Sequence, residues 1–105
     1  MTEKVRLDKW LWAARFYKTR SLAAAEIEKG RVLVNDQPAK AAREVKVGDR
    51  GVVRRGVVTT EGGVRGLSNV RGPAPVAREL YEETPESIRA REEAAEKRRL
   101  APEPA

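Results

Sequence analysis

The fold is decided by residues 6–35, RLDKWLWAARFYKTRSLAAAEIEKGRVLVN, which also hold most of the chain's aromatic residues. Apolar residues first recur at spacings of three and four, as on a helix, and after Gly30 they alternate, as in a strand. The pattern predicts two short helices joined by the basic turn Lys18-Thr19-Arg20, followed by a strand over residues 31–34. Such an arrangement would hold cations on one rigid face.

Positive charge is concentrated in the first half of the chain. Among the 105 residues, Lys and Arg number 22 and Asp and Glu 16, which gives a net charge of +6. Residues 1–52 contain 12 basic and 7 acidic residues, an excess of +5, whereas residues 53–105 contain 10 and 9, an excess of +1. The length suits one small domain, and the charge of its first half favours a polyanionic partner.

The composition argues against several function classes. With no Cys and no His, the chain has neither a disulfide framework nor the usual metal ligands and acid–base groups. Asp8, Asp36 and Asp49 fall at a helix start and two turns, where capping explains them. No segment approaches the ~20 apolar residues of a membrane span. We therefore expect a cytoplasmic, monomeric, non-catalytic protein with no metal, cofactor, small-molecule substrate or membrane contact.

The first helix is predicted over residues 7–16. Its core stripe should comprise Leu7, Trp10, Leu11 and Ala14. Trp12 and Phe16 fall on nearly the opposite side, and we favour their packing against a later segment, because large exposed apolar surface is disfavoured. The alternative is a stacking platform for unpaired bases.

The second helix should be capped by Thr19 or Ser21 and extend to about Lys29. Its apolar side is predicted to be formed by Leu22, Ala23 and Ile27. Gly30 is a suitable left-handed residue after its last turn.

The middle of the chain predicts a small antiparallel sheet. A tight turn is expected at residues 35–38 (NDQP), with further extended segments over residues 39–47 and 50–54. Residues 55–70 predict a hairpin whose turn is Glu61-Gly62-Gly63. This glycine-rich stretch lacks the Lys-Ser/Thr step of a phosphate-binding loop.

The last third of the chain predicts helix. A short helical segment is expected over residues 76–83, and Thr84-Pro85-Glu86 is typical of the start of another helix. That charged helix should run over residues 87–100 as a solvated or loosely docked face, and residues 101–105 should be disordered. We divide the chain into a domain at residues 1–72 and a helical extension at residues 73–105.

A binding surface is predicted where the two N-terminal helices meet. Phosphate groups are bound by cations and helix N-terminal amides held at fixed spacing. The candidate residues are Arg6, Lys9, Arg15, Lys18, Thr19, Arg20, Ser21, Arg31, Asn35 and Lys40, and Arg43 would extend the patch.

Residues 6–53 resemble the RNA-binding domain first described in small-subunit ribosomal protein four, the S4 domain. The matching residues are Arg6-Leu7-Asp8, Lys18-Thr19-Arg20-Ser21 with Ala23 and Ile27, Gly30-Arg31-Val32, Val34-Asn35 and Val47-Gly48-Asp49. The family's Asn-Gly turn is Asn35-Asp36 here. The resemblance implies an α+β fold, the alpha-L RNA-binding motif, in which two helices pack on a small antiparallel sheet, with a C-terminal helix added in this chain.

A closer resemblance is to the fifteen-kilodalton heat-shock protein family of bacteria. It rests on residues 6–20 (RLDKWLWAARFYKTR) and 80–84 (LYEET). It implies a non-catalytic protein that binds ribosomal RNA and recognises free large ribosomal subunits still carrying a nascent chain on tRNA. Family members often continue into a strongly basic C-terminal extension, whose contacts are not expected of a sequence ending in Pro102-Glu103-Pro104-Ala105.

Two other functions remain open on the residues alone. Two helices with a short basic connection also fit a DNA-binding helix-turn-helix, although the second helix offers few groups that could read bases. A protein-interaction adaptor could use Trp12, Phe16 and the C-terminal helix.

Overall fold

The structure is a computed structural model that describes residues 4–56, 58–68 and 70–100. Two N-terminal helices lie against antiparallel sheets and a longer helix ends the described chain, so the predicted α+β class is confirmed. In chain order the elements are β1 (Val5–Arg6), α1 (Leu7–Ala13), α2 (Arg20–Glu28), β2 (Val32–Val34), β3 (Gln37–Pro38), β4 (Glu44–Val45), β5 (Arg50–Arg55), β6 (Val58–Val64), α3 (Ala74–Ala77), β7 (Tyr81–Glu83) and α4 (Pro85–Leu100).

The larger sheet has five antiparallel strands in the order β3-β2-β5-β6-β7. β1 and β4 form a separate two-stranded ladder. Asn35 and Asp36 both have positive φ, 52° and 65°, so the predicted tight turn is a two-residue turn that matches the twist of its strands. Gln37 and Pro38 belong to β3 and not to the turn.

The predicted extended segment over residues 39–47 is mostly wrong. Only Glu44–Val45 is a strand. The preceding loop instead covers the start of α1, where the Leu7 amide donates to the Arg43 carbonyl at 2.8 Å and the Asp8 amide to the Ala41 carbonyl at 3.2 Å. The loop thus satisfies amides that a helix start leaves without partners.

The core lies between the two helices and one face of the larger sheet. All four residues of the predicted α1 stripe are buried: Leu7, Trp10, Leu11 and Ala14. On α2, Ala23 and Ile27 are buried, but Leu22 is 44% exposed. Ala23 and Ile27 lie four positions apart and share one face of α2. Leu22 comes one position before Ala23 and points away from that face, so the prediction for Leu22 is wrong.

α1 ends three residues before the prediction, at Ala13. Arg15 adopts φ 67°, its amide donates to the Trp12 carbonyl at 3.1 Å, and the Phe16 amide donates to the Leu11 carbonyl at 2.9 Å. This pair of bonds is a Schellman motif. The reversal returns Phe16 to the core side of α1.

Phe16 therefore packs inside the domain. Its ring centroid lies 5.9 Å from that of Trp10 and 4.7 Å from that of Tyr81, and it is 7% exposed. Packing against a later segment is confirmed, and the stacking platform is wrong for Phe16. Trp12 is half-buried against the same cluster.

The predicted hairpin exists, but its turn is misplaced. The chain reverses near Gly56, which has φ 61°, and Gly62 and Gly63 lie inside β6. A Cβ on Gly62 would overlap the Glu82 backbone carbonyl of β7. Glycine is present there because β7 approaches closely and not because the chain turns.

The last third of the chain also departs from the prediction. The helix expected over residues 76–83 is replaced by Ala74–Ala77 and the strand β7. α4 begins as predicted, since the Thr84 hydroxyl accepts from the Ser87 amide at 3.1 Å. Residues 89–99 of α4 are exposed, which fits a loosely docked helix, and the prediction for residues 101–105 lies outside the described residues.

Candidate nucleic-acid interface

The interface is built on the start of α2, where the chain leaves an extended conformation for a helix. Thr19 has φ −136° and its hydroxyl accepts from the Leu22 amide at 3.0 Å, so the predicted cap is confirmed. The cap satisfies one N-terminal amide and leaves neighbouring amides facing outward. Lys18, Arg20 and Ser21 are exposed beside them.

A buried carboxylate joins the starts of both helices. Asp8 is 5% exposed. Its two carboxylate oxygens accept from Arg6, from Nε at 3.2 Å and from Nη2 at 3.1 Å. Arg20 Nη2 lies 3.7 Å from Asp8 Oδ1, and the Lys9 amide donates to the same oxygen at 2.7 Å. Two arginines from different elements are thereby held around one acid, with their outer edges in solvent.

The loop that covers α1 adds two more cations. Because its carbonyls at Ala41 and Arg43 accept from the first amides of α1, exposed Lys40 and Arg43 lie at the end of α1 that carries Arg6 and Lys9. We call this region the junction surface. It comprises Arg6, Lys9, Lys18, Thr19, Arg20, Ser21, Lys40 and Arg43.

Three predicted site residues lie elsewhere and have structural partners. Arg31 follows α2, whose ends are about 12 Å apart at 1.5 Å per residue, and its Nη1 donates to Glu26 at 2.9 Å. Arg15 Nε donates to the Gly72 carbonyl at 3.0 Å. The side chain of Asn35 links two backbone segments, accepting from the Arg50 amide at 2.9 Å and donating to Asp49 at 3.2 Å.

A second group of arginines lies past the C-terminal end of α1. Arg55 lies 5.4 Å from the centroid of the Phe16 ring and donates to the Phe16 carbonyl at 3.3 Å. Arg71 Nε donates to the Trp12 carbonyl at 3.2 Å. Sequence reasoning missed these residues because their partners are 39 and 59 positions away, and no local pattern signals such a contact.

Tyr17 lies in the connection between the end of α1 and the start of α2. Its hydroxyl is buried without a hydrogen-bond partner among the described residues. Burial raises the pKa of this phenol and Glu26 adds to the rise, whereas Arg55 and Arg31 oppose it. The phenol therefore stays protonated at physiological pH.

The chemistry of the junction surface is that of binding. Its side chains are cations and hydroxyls, and its one acid, Asp8, is committed to two guanidinium groups and an amide. In the described ranges no cluster of acidic residues could hold a metal ion. Exposed cations around a capped helix start suit a phosphate backbone.

Comparison with known proteins agrees with this geometry. Residues 5–50 match the family model of the S4 domain. The chain is 53% identical over 96 residues to a protein of Haemophilus influenzae called heat shock protein 15 homolog, covering 90% of this chain and 73% of that protein. It is 46% identical over 97 residues to heat shock protein 15 of Escherichia coli, covering 92% and 73%.

A shorter match is to the RQC P-site tRNA stabilizing factor of Halalkalibacterium halodurans, 48% identical over 59 residues and covering 54% of this chain and 67% of that protein. Among the helices that the structure describes, none is both long and apolar enough to cross a membrane.

A solved structure has the same fold. Heat shock protein 15 of Vibrio cholerae, described as trimeric, superposes with a TM-score of 0.90 at 47% identity, covering 94% of this chain and all of that one. That description gives no support to the expected monomer. The relatives likewise give no support to the DNA-binding alternative. With about half of its residues identical over most of its length, the chain belongs to the heat shock protein 15 family of non-catalytic S4-domain RNA-binding proteins.

Proposed function

We propose that this chain binds ribosomal RNA on the large ribosomal subunit through the junction surface, and that it acts on subunits retaining a nascent chain on tRNA. The observation that carries the proposal is the buried Asp8 carboxylate, which fixes Arg6 and Arg20 beside the Thr19-capped start of α2. The name of the Halalkalibacterium halodurans relative, a P-site tRNA stabilizing factor, supports the tRNA part.

Arg6 and Arg20, which Asp8 holds in place, are suited to binding the phosphate groups of an RNA backbone. An arginine held by a second group loses less conformational freedom when it binds, and its planar fork can still donate from its outer edge. Phosphates of two RNA strands would meet Arg6 and Arg20 on one side and the α2 amides on the other. Readout would be chiefly of shape, because side chains cannot enter the narrow major groove of an RNA duplex.

Salt dependence is the first test. If five cations of the junction surface meet phosphates, a plot of log affinity against log salt should have a slope of about −4.5, taking the duplex coefficient of roughly 0.9 per contact. A flat response would remove the electrostatic basis of the proposal.

The second test is sedimentation of cell extract with the protein located among free subunits, whole ribosomes and soluble RNA. Lys18→Glu with Lys40→Glu reverses two exposed charges without touching Asp8, and should release the protein from free large subunits. The matched control is Arg89→Glu, an equally exposed change on α4, which should leave binding unchanged. Retention of the folded double variant on large subunits would contradict the proposal.

The same samples separate the remaining alternatives. Ribosomal RNA should compete for the protein better than duplex DNA of equal length, since the described α2 side chains offer few groups that could read bases. Sedimentation of the free protein measures its oligomeric state, and fractionation of cells tests the expected cytoplasmic location.

A further inference from the structure

An aromatic cluster reaches the surface at the end of α1 opposite the junction surface. The Tyr81 ring lies 4.7 Å from that of Phe16 and 6.4 Å from that of Trp10, nearly perpendicular to the latter. Phe16 and Trp10 are buried, but Tyr81 is half-buried in strand β7. The buried rings of Phe16 and Trp10 thus hold the Tyr81 ring in place, while part of that ring remains accessible to solvent.

Three arginines lie near this aromatic cluster. Arg55 lies over Phe16 at 5.4 Å, Arg91 is held on Glu83 at 2.9 Å, and Arg78 precedes Tyr81 by three residues in the turn after α3. All three are exposed. Burial raises the pKa of the Tyr81 hydroxyl and Glu83 adds to the rise, whereas the charges of these arginines oppose it.

The fold accounts for two of these arginines, since Arg55 contacts Phe16 and Arg91 binds Glu83. One acid, Glu83, faces the cluster and binds Arg91. Glu82 points to the opposite side of β7, where it lies 3.9 Å from Arg65. Within the described part of the chain, Arg78 has no carboxylate within ion-pair distance, so it contributes charge and no visible support to the fold.

We propose that Arg55, Arg78 and Arg91 with the accessible part of the Tyr81 ring form a second RNA surface, which takes a single-stranded segment by packing a base against that ring. The neighbouring phosphates would lie on the guanidinium groups, since an aromatic ring beside cations is the usual way to hold unpaired nucleotides. The inference rests on the proposed function, because it takes RNA as the partner of the junction surface. With one surface at each end of α1, a single chain would bridge two RNA segments.

The experiment uses the full chain and two labelled probes, an RNA hairpin with a 12-base-pair stem and a 10-nucleotide oligouridine. The wild type should bind both probes at once. Arg55→Gln with Arg78→Glu should weaken oligouridine binding about tenfold, which corresponds to about 1.4 kcal/mol, and should change hairpin binding less than twofold. Lys18→Glu with Lys40→Glu should do the reverse, and Arg89→Glu should affect neither.

Two outcomes would overturn the second surface. One is oligouridine binding at wild-type strength by Arg78→Glu, a single exposed change that keeps the Arg55–Phe16 contact. The other is displacement of the hairpin by oligouridine, which would mean one shared site. Either result leaves the junction surface standing, whereas unchanged hairpin binding by the Lys18→Glu, Lys40→Glu variant would overturn the proposed function instead. Circular dichroism of each variant verifies its fold.

Discussion

Arginines gather at both ends of α1, but they contact different groups at each end. At its start, Arg6 and Arg20 meet the buried carboxylate of Asp8, and beyond its end, Arg55 and Arg71 donate to the carbonyls of Phe16 and Trp12. The start of a helix presents amides and a positive dipole, whereas its end presents unpaired carbonyls and a negative one. Arg55 and Arg71 therefore stabilise the fold through these carbonyls, and Arg55 stays exposed for the second surface. Arginine at the helix start adds to a field that attracts phosphate.

The comparison shows why a charge count does not locate an RNA surface. Arg15 and Arg31 are as basic as Arg6, yet they donate to the Gly72 carbonyl and to Glu26. What distinguishes the junction surface is that its fixing acid is buried below it while its cations face solvent. Five substitutions test this contrast, and they are given in order of expected effect.

Phe16→Ala should have the largest effect on stability. It removes a 7% exposed ring that packs on Trp10 and Tyr81, so the free energy of unfolding should fall by about 3–4 kcal/mol in a denaturant titration. Affinity of the folded variant for the RNA hairpin should stay within about twofold. A large loss of hairpin affinity would mean that the aromatic cluster and the junction surface are not energetically independent.

Asp8→Asn should weaken both the fold and the junction surface. The change leaves two guanidinium groups without their carboxylate, at a cost of about 2 kcal/mol for a buried charged hydrogen bond. Hairpin affinity should fall with it because Arg6 and Arg20 lose their fixed positions. Asp36→Asn, in an exposed turn, is the matched control. If both variants lost equal stability and equal hairpin affinity, Asp8 would not be what holds Arg6 and Arg20 in position.

The stability that Glu83 contributes next to the second surface should depend on pH. Burial opposes its ionisation, but hydrogen bonds from Arg91 and Ser87 win and lower its pKa below the ordinary 4.5. The stabilisation is present above pH 4.5 and is lost as the pH falls through the lowered value. Glu83→Gln should cost about 1–2 kcal/mol at pH 7 and less at pH 3. A difference independent of pH in urea titrations would count against this ion pair.

The smallest effects should come from the two helix ends. Gly30 and Arg15 both occupy left-handed positions after a helix, with φ of 77° and 67°. Gly30→Ala should cost about 1 kcal/mol, because alanine is strained there. Arg15→Gly should be close to neutral, since relief of the same strain offsets the lost bond to Gly72. Thermal melts of both variants would show whether stability at position 15 depends on the left-handed backbone or on the bond from the Arg15 side chain to Gly72.

Much of the fold could be predicted because its signals are local. The Thr19 cap, the Gly30 reversal and the Thr84 start of α4 each depend on contacts within a few residues. The misplaced hairpin turn depends instead on a distant contact. Gly62 looks like a turn in the sequence, yet it is demanded by a strand that arrives twenty residues later.

The candidate site divides in the same way. Lys18, Thr19 and Arg20 could be predicted because they surround one helix start. Lys40 was also placed on this surface, where the loop after β3 folds over α1. The separation of Arg31 could not be predicted, because it follows from how long α2 is.

By itself the sequence determined the helix pair, the strands that follow it, the basic junction and the family resemblance, since spacing, caps and composition act over a few residues. Only the tertiary structure decided which segment packs on Phe16 and where Arg55 and Arg71 lie. It also decided that a second aromatic and basic surface forms around Tyr81. Those outcomes depend on contacts between residues 39 to 65 positions apart, which no local pattern encodes.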